Sequence, residues 1–303
     1  MKKKIYMAGC GGMLGEAFYH CFKVDYDLKC TDIDVNEDWL QNLDFRDYDK
    51  YLLDVEKFKP SYLFHIGAHT SLEYCELNKE DAYRTNTLSV ENAVNISNKL
   101  KIPIIYISTA GIFEGAKKFY DESDLPNPGS HYAKSKYKGE LHVQNNSNKY
   151  LICRAGWMMG AGPKKDKKFI QKIMFQLKKN KKELFIVNDK TGTPTYTHDF
   201  VKNLKLLLEK ESWGLYNLVC SGSTSRLEVA KELINILGLD KEIKIKEVQS
   251  DYWKKDYFAP RPDCESLVNK KLNLLGLNIM RDWKICLKEY INNYYKDYLS
   301  QKR

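Results

Sequence analysis

Long hydrophobic runs are missing from this chain of 303 residues. No stretch approaches the roughly 18 consecutive apolar residues that indicate a membrane-spanning helix. The basic start, Met1 to Lys4, is similar to the charged end of a signal peptide, but glycines at positions 9, 11 and 12 interrupt the apolar residues that follow. The apolar stretch is therefore too short for a secretory signal. We expect a cytoplasmic protein with no membrane partner.

Paired cysteines and metal-ligand spacings are also missing. The eight cysteines are scattered, without a C-x-x-C pair, which is typical of small buried residues in a reducing compartment. The histidines show no metal-ligand spacing, so no metal is expected. The net charge of +9 comes from lysine, densest near 164–168 and 178–182. Because no platform of interleaved aromatic residues accompanies these clusters, we interpret them as solvated helix faces, and we expect no nucleic-acid partner.

Two kinds of segment alternate along the first half of the chain. Short β-branched runs are followed by longer segments of helical period, which is typical of βαβ units and a parallel sheet. The pattern predicts strands near 4–8, 27–31, 61–67, 102–108 and 149–154. It predicts helices near 12–23, 47–58, 72–100 and 131–145. The fold class is therefore expected to be α/β, with a doubly wound parallel sheet.

A glycine series, Gly9-x-x-Gly12-x-x-Gly15, directly follows the first apolar run. The first glycine allows a tight bend, the second lets the backbone approach a pyrophosphate, and the third lets the helix pack on the sheet. The helix that starts there, with Met13 and Leu14 in its first turn, points its N–H groups at the phosphates. A flexible loop is the alternative, but a strand precedes this motif and a helix follows it. The series therefore predicts a nicotinamide dinucleotide site.

Further residues at the ends of predicted strands are candidates for the same site. Asp32 lies about 20 residues beyond the glycines, where an acid holds the adenosine ribose hydroxyls. A carboxylate there repels a 2′-phosphate, so NADH is favoured over NADPH, although Asp34 is close enough to compete for the assignment. Asp44-Phe45 is expected to cap the adenine ring and its amino group. Gly67-Ala68, at the end of the fourth strand, would let the dinucleotide lie against bare backbone.

Beyond residue 154 the alternation changes, which indicates a second structural unit. Residues 197–219 are expected to form one more helix and strand of the sheet, and residues 221–303 two or three helices with a short strand near 242–248. No repeat or low-complexity linker separates the parts, so the second is expected to pack on the first. We therefore predict an NAD(P)-binding Rossmann domain, 1–154 plus 197–219, and a smaller substrate lobe, 155–196 plus 220–303.

Tyr132 and Lys136 lie one helical turn apart, so their side chains share a helix face. A lysine ammonium beside a phenol stabilises phenolate and is expected to lower the tyrosine pKa from about 10. Tyr132 would donate a proton to a carbonyl oxygen as hydride arrives, or accept one in reverse. Thr109, at the end of the fifth strand, is expected to hydrogen-bond that oxygen. The same spacing occurs at positions 19 and 23 by chance, but only Tyr132 follows a strand and its loop.

Three segments together resemble the extended short-chain dehydrogenase/reductases: Gly9-Cys10-Gly11-Gly12-Met13-Leu14-Gly15, Ser108-Thr109-x-x-Ile112-Phe113-x-Gly115 and Tyr132-x-x-x-Lys136. Further segments resemble one family within that group, the dTDP-4-dehydrorhamnose reductases. They are Gly67-Ala68-His69-Thr70, Cys75-Glu76 with Asn86, Arg154-x-x-Trp157-x-x-Gly160, Asp189-x-x-Gly192-x-Pro194-Thr195-Tyr196-Thr197, and Arg261-Pro262 with Ser266-Leu267. The resemblance covers nearly the whole chain.

The resemblance implies NAD(P)H-dependent reduction of a 4-keto group on a nucleoside-diphosphate deoxysugar, for the synthesis of surface polysaccharide sugars. It implies catalytic roles for Thr109, Tyr132 and Lys136, and cofactor contacts by Asn86 and Lys136. Contacts to the nucleotide-sugar substrate are implied for His69, Thr70, Arg154, Trp157 and Arg261. The two arginines could hold a diphosphate bidentately or form structural salt bridges, and Trp157 could stack on the substrate or lie in the core. The expected assembly is a homodimer.

The chain departs from the family pattern immediately after Thr109. Ala110 stands where these reductases usually carry an acid, and Ala110-Gly111 replaces the acidic pair that the related 4,6-dehydratases need. Gly111 also replaces the cysteine of the epimerase-reductases that make GDP-fucose. Two alternatives stay open: a nucleotide-sugar epimerase of the same fold, and a regulatory subunit that retains only the dinucleotide site. The complete set of Thr109, Tyr132 and Lys136 favours an enzyme.

Overall fold

The computed structural model describes residues 2–299. Its strands are, in chain order, β1 (Lys4–Ala8), β2 (Asp27–Asp32), β3 (Leu40–Asn42), β4 (Tyr62–His65), β5 (Ile104–Thr109), β6 (Tyr150–Ala155), β7 (Trp157–Met159), β8 (Glu183–Val187), β9 (Thr191–Gly192), β10 (Pro194–Tyr196), β11 (Gly214–Asn217), β12 (Thr224–Ser225), β13 (Lys244–Val248) and β14 (Cys264–Glu265).

The helices follow the strands in alternation through the first part of the chain. They are α1 (Met13–Phe22), α2 (Tyr48–Phe58), α3 (Leu72–Leu77), α4 (Lys79–Tyr83), α5 (Ser89–Leu100), α6 (His131–Asn146), α7 (Gly162–Lys165), α8 (Phe169–Lys178), α9 (Thr197–Glu209), α10 (Arg226–Ile236), α11 (Lys270–Leu274) and α12 (Trp283–Tyr294). A π-helical turn, Arg84–Leu88, joins α4 to α5, and 3₁₀ turns span Ala110–Ile112 and Ser250–Trp253.

The main sheet has seven strands in the order β3-β2-β1-β4-β5-β6-β11, and every neighbouring pair is parallel. The order reverses direction between β1 and β4. In open α/β sheets a ligand binds at this switch point, beyond the carboxyl ends of the strands. The five strands predicted for the first half are present, each within two residues at both ends. The predicted α/β fold class is confirmed.

Alternate residues of β1 enter opposite layers, because side chains of a strand alternate between the two faces of a sheet. Ile5 and Met7 lie in one cluster with Phe18 and Phe22 of α1. Tyr6 and Ala8, on the opposite face of the strand, lie in a second cluster with residues of α2 and α5. A parallel strand covered on both faces needs apolar residues at every position, and residues 5–8 are fully buried.

The helix predicted over 72–100 is interrupted twice. Asn78 ends α3 and precedes α4, and its side-chain amide donates to Tyr74 O at 3.0 Å in competition with a continuous helix. The π-helical turn then shifts the register before α5. Local side-chain hydrogen bonds of asparagine of this kind compete with the helical pattern. The periodicity of the sequence alone did not reveal either break.

Short strands outside the main sheet organise the second lobe. They pair as β10-β7, β12-β9-β14 and β13-β8. The strand expected near 242–248 is β13, and it pairs in parallel with β8. Strands β9, β12 and β14 have two residues each and pair across long sequence separations, so no local pattern predicted them. Among residues 2–299, none of the helices has the length and hydropathy needed to cross a bilayer.

Candidate active site

Gly9 and Gly67 bring the ends of β1 and β4 into direct contact. Gly9 has φ +86°, and a Cβ there would lie 2.1 Å from Gly67 Cα. A Cβ on Gly67 would lie 2.4 Å from Phe45 Cε1, so the Phe45 ring packs against this main chain. Only glycine permits so close an approach of two strand ends. Ala68, the next residue, carries only a methyl group, so the chain beyond the carboxyl end of β4 has little side-chain bulk.

Gly12 and Gly15 shape the start of α1 in different ways. A Cβ at Gly15 would lie 2.0 Å from Cys10 O, so the helix packs tightly on the turn that precedes it. At Gly12, the residue before Met13 and Leu14, a Cβ would meet nothing within 4 Å. Within residues 2–299 the start of α1 is therefore open at Gly12, and no side chain of the cap residue satisfies the helix N–H groups. This arrangement fits a pyrophosphate, which helix N-termini bind through N–H groups and the helix dipole.

Asp32, at the end of β2, has its carboxylate fixed against the glycine turn. Oδ2 accepts a hydrogen bond from Gly11 N at 2.7 Å, and Oδ1 accepts one from Asp34 N at 2.9 Å. The Asp34 carboxylate instead accepts a hydrogen bond from Asn36 at 3.1 Å. Asp32 is therefore the acid that lies beside the glycine turn.

Lys165 in α7 departs from the interpretation of its cluster as a solvated face. Its side chain is only 4% exposed, and Nζ lies 3.0 Å from Glu37 Oε1 and 3.9 Å from Glu16 Oε2. Lys164 also pairs with Glu37, at 2.7 Å. Glu37 follows β2 and Glu16 lies in α1, so these two lysines join the second lobe to the dinucleotide side of the cleft. For Lys165 the sequence interpretation was wrong, because the packing of α7 buries it.

Asp44 is held by a cation that the sequence interpretation had not assigned. Arg46 Nε and Nη2 donate to the two Asp44 oxygens at 2.9 and 2.8 Å, and this pairing lowers the pKa of the Asp44 carboxyl. Arg46 Nη1 also lies 3.0 Å from Asp81 Oδ1. The carboxylate is thus ionised and oriented beside Phe45, at the edge of the expected adenine site.

Asn86 uses its whole side chain to join two elements of the site. Its Oδ1 accepts from His69 N at 2.8 Å, and its Nδ2 donates to His69 O and to Ser135 Oγ, both at 3.0 Å. The residue is fully buried. Asn86 therefore positions the loop after β4 against α6, and within residues 2–299 its amide has these internal partners rather than an open face toward the cleft.

His69 and Thr70 lie on the loop between β4 and α3, facing the second lobe. His69 Nε2 lies 2.7 Å from Asp81 Oδ2, and the hydroxyl of Tyr74 donates to the same oxygen at 2.8 Å. Lys168 of the second lobe donates to both Thr70 O and Thr70 Oγ1 at 3.1 Å. Thr70 therefore lies at a contact across the cleft.

The side chains of Thr109 and Tyr132 come close together beside Gly111, where a Cβ would lie 3.5 Å from Thr109 Oγ1 and 3.9 Å from Tyr132 Cε1. Thr109 ends β5, and Tyr132 is the second residue of α6, whose start is set by Ser130 Oγ accepting from Ala133 N at 3.1 Å. Glu76 Oε1 accepts the N–H of His131 at 2.7 Å, which satisfies another free donor of the first helical turn. The end of β5 and the start of α6 thus bring together two residues that are 23 positions apart in the sequence.

Lys136 is buried beneath this pair, one turn further along α6. It is 4% exposed, and its Nζ lies 4.2 Å from the centroid of the Tyr106 ring. The hydroxyl of Tyr106 donates to Lys136 O at 3.0 Å. Burial lowers the pKa of Lys136 to about 7, although the Glu140 carboxylate acts in the opposite direction.

The expected lowering of the Tyr132 pKa by Lys136 is not found in the protein without ligands. Burial raises the pKa of Tyr132 to about 12, and the hydrogen bond from Thr109 only partly offsets this. The neighbouring Glu265 carboxylate raises the pKa further. The prediction neglected the desolvation of the phenolate, which disfavours the charged form. At neutral pH Tyr132 is therefore protonated, as a proton donor must be.

Arg154 is not placed to hold a diphosphate. It is 3% exposed on β6, and its Nε and Nη2 donate to the two Glu140 oxygens at 3.0 and 2.5 Å. Its guanidinium also stands 5.3 Å from the centroid of the Phe113 ring. Glu140 itself is fully buried in α6. Of the two alternatives left open by the sequence, the structure supports a buried salt bridge that ties α6 to β6.

Trp157 and Arg261 line the second lobe's side of the cleft. The indole Nε1 of Trp157 donates to Glu265 Oε2 at 2.5 Å, and the guanidinium of Arg226 lies 3.6 Å from the centroid of its ring. Arg261 pairs with Glu73 at 2.7 Å and donates to Ala259 O at 3.0 Å. Arg261 is partly exposed, so it retains a face toward the cleft, whereas Trp157 is already stacked on a cation.

Three residues of the cleft were not found from the sequence: Glu265, Arg226 and Lys165. Glu265 stands between the matched segments Arg261-Pro262 and Ser266-Leu267, which is the one signal that pointed to it. Arg226 begins α10 directly after its cap, Ser225. Their roles depend on strand pairings across the second lobe, and sequence spacing carries no information on those.

The fold and the cleft define a class of protein. A glycine turn after β1 and an acid at the end of β2 are combined with a threonine at the end of β5, and with a tyrosine and a buried lysine one turn apart in α6. This combination is that of an NAD(P)-dependent oxidoreductase of the extended short-chain dehydrogenase/reductase type. The model of the RmlD substrate binding domain family matches residues 3–296. The chain belongs to that family.

Relatives of known description span nearly the whole chain. The dTDP-4-dehydrorhamnose reductase of Aggregatibacter actinomycetemcomitans is 29% identical over 295 residues, which cover 94% of this chain and 97% of the relative. The spore coat polysaccharide biosynthesis protein SpsK of Bacillus subtilis is 27% identical, with 95% and 96% covered. The crystal structure of the dTDP-4-dehydrorhamnose reductase from Bacillus anthracis in complex with NADP has a TM-score of 0.87 and 26% identity, with 97% and 100% covered.

Proposed function

We propose that the protein reduces the 4-keto group of a nucleoside-diphosphate deoxysugar, as dTDP-4-dehydrorhamnose reductases do. The observation that carries the proposal is that the side chains of Thr109 and Tyr132 meet beside Gly111, with Lys136 buried one turn further along the helix that contains Tyr132. The relatives named as dTDP-4-dehydrorhamnose reductases support the substrate class, since they align with this chain over almost its full length.

Tyr132 and Thr109 act on the substrate oxygen. When bound, the nicotinamide cofactor supplies the hydride that reaches the carbonyl carbon. Tyr132, neutral because its pKa is about 12, gives its proton to the oxygen that becomes the hydroxyl of the alcohol. The Thr109 hydroxyl donates a hydrogen bond to the same developing charge. Lys136 lies behind the tyrosine, where a protonated ammonium would favour the phenolate that remains.

Main-chain atoms and four side chains are assigned to the cofactor. The turn from Gly9 to Gly15 would hold the pyrophosphate, Asp32 the adenosine ribose, Gly67-Ala68 the dinucleotide backbone and Lys136 the nicotinamide ribose. Phe45 and Asp44 would border the adenine. The domain division proposed is 1–154 plus 197–219 for the dinucleotide and the remainder for the sugar nucleotide, and β11 supports it by pairing with β6 in the main sheet.

Asp32 supports a preference for NADH. Hydrogen bonds from Gly11 N and Asp34 N fix its two oxygens beside the glycine turn, and a 2′-phosphate bound there would bring like charges together. Fluorescence titration of both reduced cofactors into the protein should give the tighter dissociation constant for NADH. Asp32→Asn should reduce the difference. Clearly tighter binding of NADPH by the wild type would refute this preference.

The test of the main proposal has two parts. A thermal-shift panel of dTDP, GDP, CDP and UDP with cofactor present should show stabilisation by one of them, and the corresponding 4-keto-6-deoxy sugar should then be reduced. Loss of NAD(P)H absorbance measures the reaction. If no nucleotide stabilises the protein and a partner protein co-purifies with it instead, the regulatory alternative would be favoured.

A further inference from the structure

The space beside Gly111 is bordered by side chains from three parts of the chain. A Cβ on Gly111 would lie 3.2 Å from Glu265 Oε1, 3.5 Å from Thr109 Oγ1 and 3.9 Å from Tyr132 Cε1. Because Gly111 has no side chain, no Cβ separates these groups. A carboxylate of the second lobe therefore faces the same small volume as the hydroxyl pair that serves the substrate oxygen.

Glu265 is held in this position by one of its two oxygens. It lies in β14, which pairs in parallel with β9, and its Oε2 accepts the indole N–H of Trp157 at 2.5 Å. Within residues 2–299, Oε1 accepts no hydrogen bond from any donor. The side chain is partly buried. Oε1 is therefore available to accept a hydrogen bond from a ligand.

Neighbouring side chains hold this carboxylate in place. The Arg226 guanidinium interacts electrostatically with Glu265 and stacks on the other side of Trp157, 3.6 Å from the ring centroid. Trp157 itself cannot shift toward Gly192, where a Cβ would already lie 2.4 Å from the indole Cε2. Trp157 of β7 and Arg226 of α10 thus fix the side chain of Glu265 in β14, and Oε1 is its available acceptor.

We propose that Glu265 is a specificity-determining residue whose Oε1 accepts a hydrogen bond from the sugar hydroxyl on the carbon next to the carbonyl. The proposal rests on the proposed function. In a 4-keto-6-deoxyhexose only C3 offers such a hydroxyl, because C5 carries the methyl group and the ring oxygen. With the carbonyl oxygen between Thr109 and Tyr132, the adjacent hydroxyl is the substrate donor nearest to Glu265.

The experiment compares two substrates in four proteins. The substrates are the nucleotide 4-keto sugar with a 3-hydroxyl and its 3-deoxy analogue, and the measured quantity is the ratio of their kcat/KM values. Glu265→Gln keeps an oxygen for the Trp157 N–H but replaces the free acceptor with an amide donor. Trp157→Phe removes the indole donor and leaves the carboxylate. Glu242→Gln, at an exposed ion pair with Lys182 in the second lobe, is the matched control.

Wild type and Glu242→Gln should prefer the 3-hydroxy substrate by about 10- to 100-fold, since loss of a hydrogen bond to a charged group has an effect of this size. Glu265→Gln should bring the ratio close to one and leave cofactor affinity unchanged. Trp157→Phe should lower both kcat/KM values but retain the preference for the 3-hydroxy substrate. This result would show that Glu265 recognises the hydroxyl itself and does not act only by holding Trp157 in place.

Two results would overturn the proposal. One is a wild type that reduces both substrates equally well, and the other is a Glu265→Gln variant that retains the full preference. Each leaves the reductase assignment standing, because the enzyme would still reduce the keto group. A wild type that reduces neither substrate would instead overturn the proposed function, and the role of Glu265 with it.

Discussion

In the dinucleotide half of the cleft the glycine turn meets the end of β4 through main-chain atoms, whereas in the substrate half long side chains from distant segments meet. Gly9 and Gly67 touch through backbone, at separations that a single methyl group would block. Across the cleft, Trp157, Arg226 and Glu265 meet through an indole, a guanidinium and a carboxylate. The shape of the dinucleotide half depends on positions that lack a side chain, whereas the shape of the substrate half depends on which side chains are present.

Because of this difference, substitutions should have different effects in the two halves of the cleft. A dinucleotide is the same molecule in many enzymes, and a backbone cradle serves it without side-chain identity. A sugar ring must be distinguished from related rings, and hydrogen-bonding side chains make that distinction. Substitutions in the first half should therefore act on binding of the cofactor, and those in the second on the choice of substrate.

The largest effect is expected where the two halves meet. Tyr132→Phe removes the proton donor and should lower kcat by about 10²- to 10⁴-fold, with dinucleotide affinity nearly unchanged. Tyr19→Phe is the matched control, because Tyr19 shows the same spacing to a lysine but lies outside the cleft. Steady-state kinetics and cofactor titration measure the two quantities. An unchanged turnover in Tyr132→Phe would mean that another group donates the proton.

The second effect concerns stability on the substrate side of the sheet. Arg154→Met leaves the fully buried Glu140 without its cation and should lower the free energy of unfolding by about 3–5 kcal/mol. The double variant with Glu140→Gln should recover a large part of this loss. Urea denaturation measures both. If Arg154 held the substrate diphosphate instead, the single variant would lose nucleotide-sugar binding at nearly unchanged stability.

The third effect is a dependence of stability on pH. The pKa of Lys136 falls from 10.5 to about 7 in the folded protein, so between these pH values the unfolded chain binds a proton that the folded protein does not. Stability should therefore rise with pH across this window and be lowest below it. Lys136→Met should remove this contribution and increase the free energy of unfolding at pH 8 by roughly 2–3 kcal/mol.

Denaturation of Lys136→Met at several pH values tests this directly. Lys134→Met, at an exposed position of the same helix, is the control and should keep the wild-type pH dependence. An identical slope of stability against pH for wild type and Lys136→Met would show that Lys136 stays protonated in the folded protein.

The smallest effect separates the two roles of glycine. Gly12→Ala adds a methyl group that meets no protein atom within 4 Å, so the fold should be retained while dinucleotide affinity falls about 10-fold, because the backbone must approach the pyrophosphate there. Gly9→Ala should instead destabilise the protein itself, since its Cβ would lie 2.1 Å from Gly67 Cα. Equal cofactor affinity in Gly12→Ala and wild type would place the pyrophosphate elsewhere.

The sequence alone determined the parallel α/β sheet, the glycine turn and the common helix face of Tyr132 and Lys136. Each of these follows from a local spacing, because helix and strand periods fix which neighbours share a face. The fold class and the family were confirmed, whereas the individual site residues stay predictions that the variants above can test.

The tertiary structure alone decided how the charged residues are used. Arg154 pairs with Glu140, Lys165 is buried against Glu37, and Glu265 faces the space above Gly111. The raised pKa of Tyr132 belongs to the same group, because it depends on how much water the packed lobes exclude. The partner and the solvation of a charged side chain depend on contacts between residues far apart in sequence, which no local pattern contains.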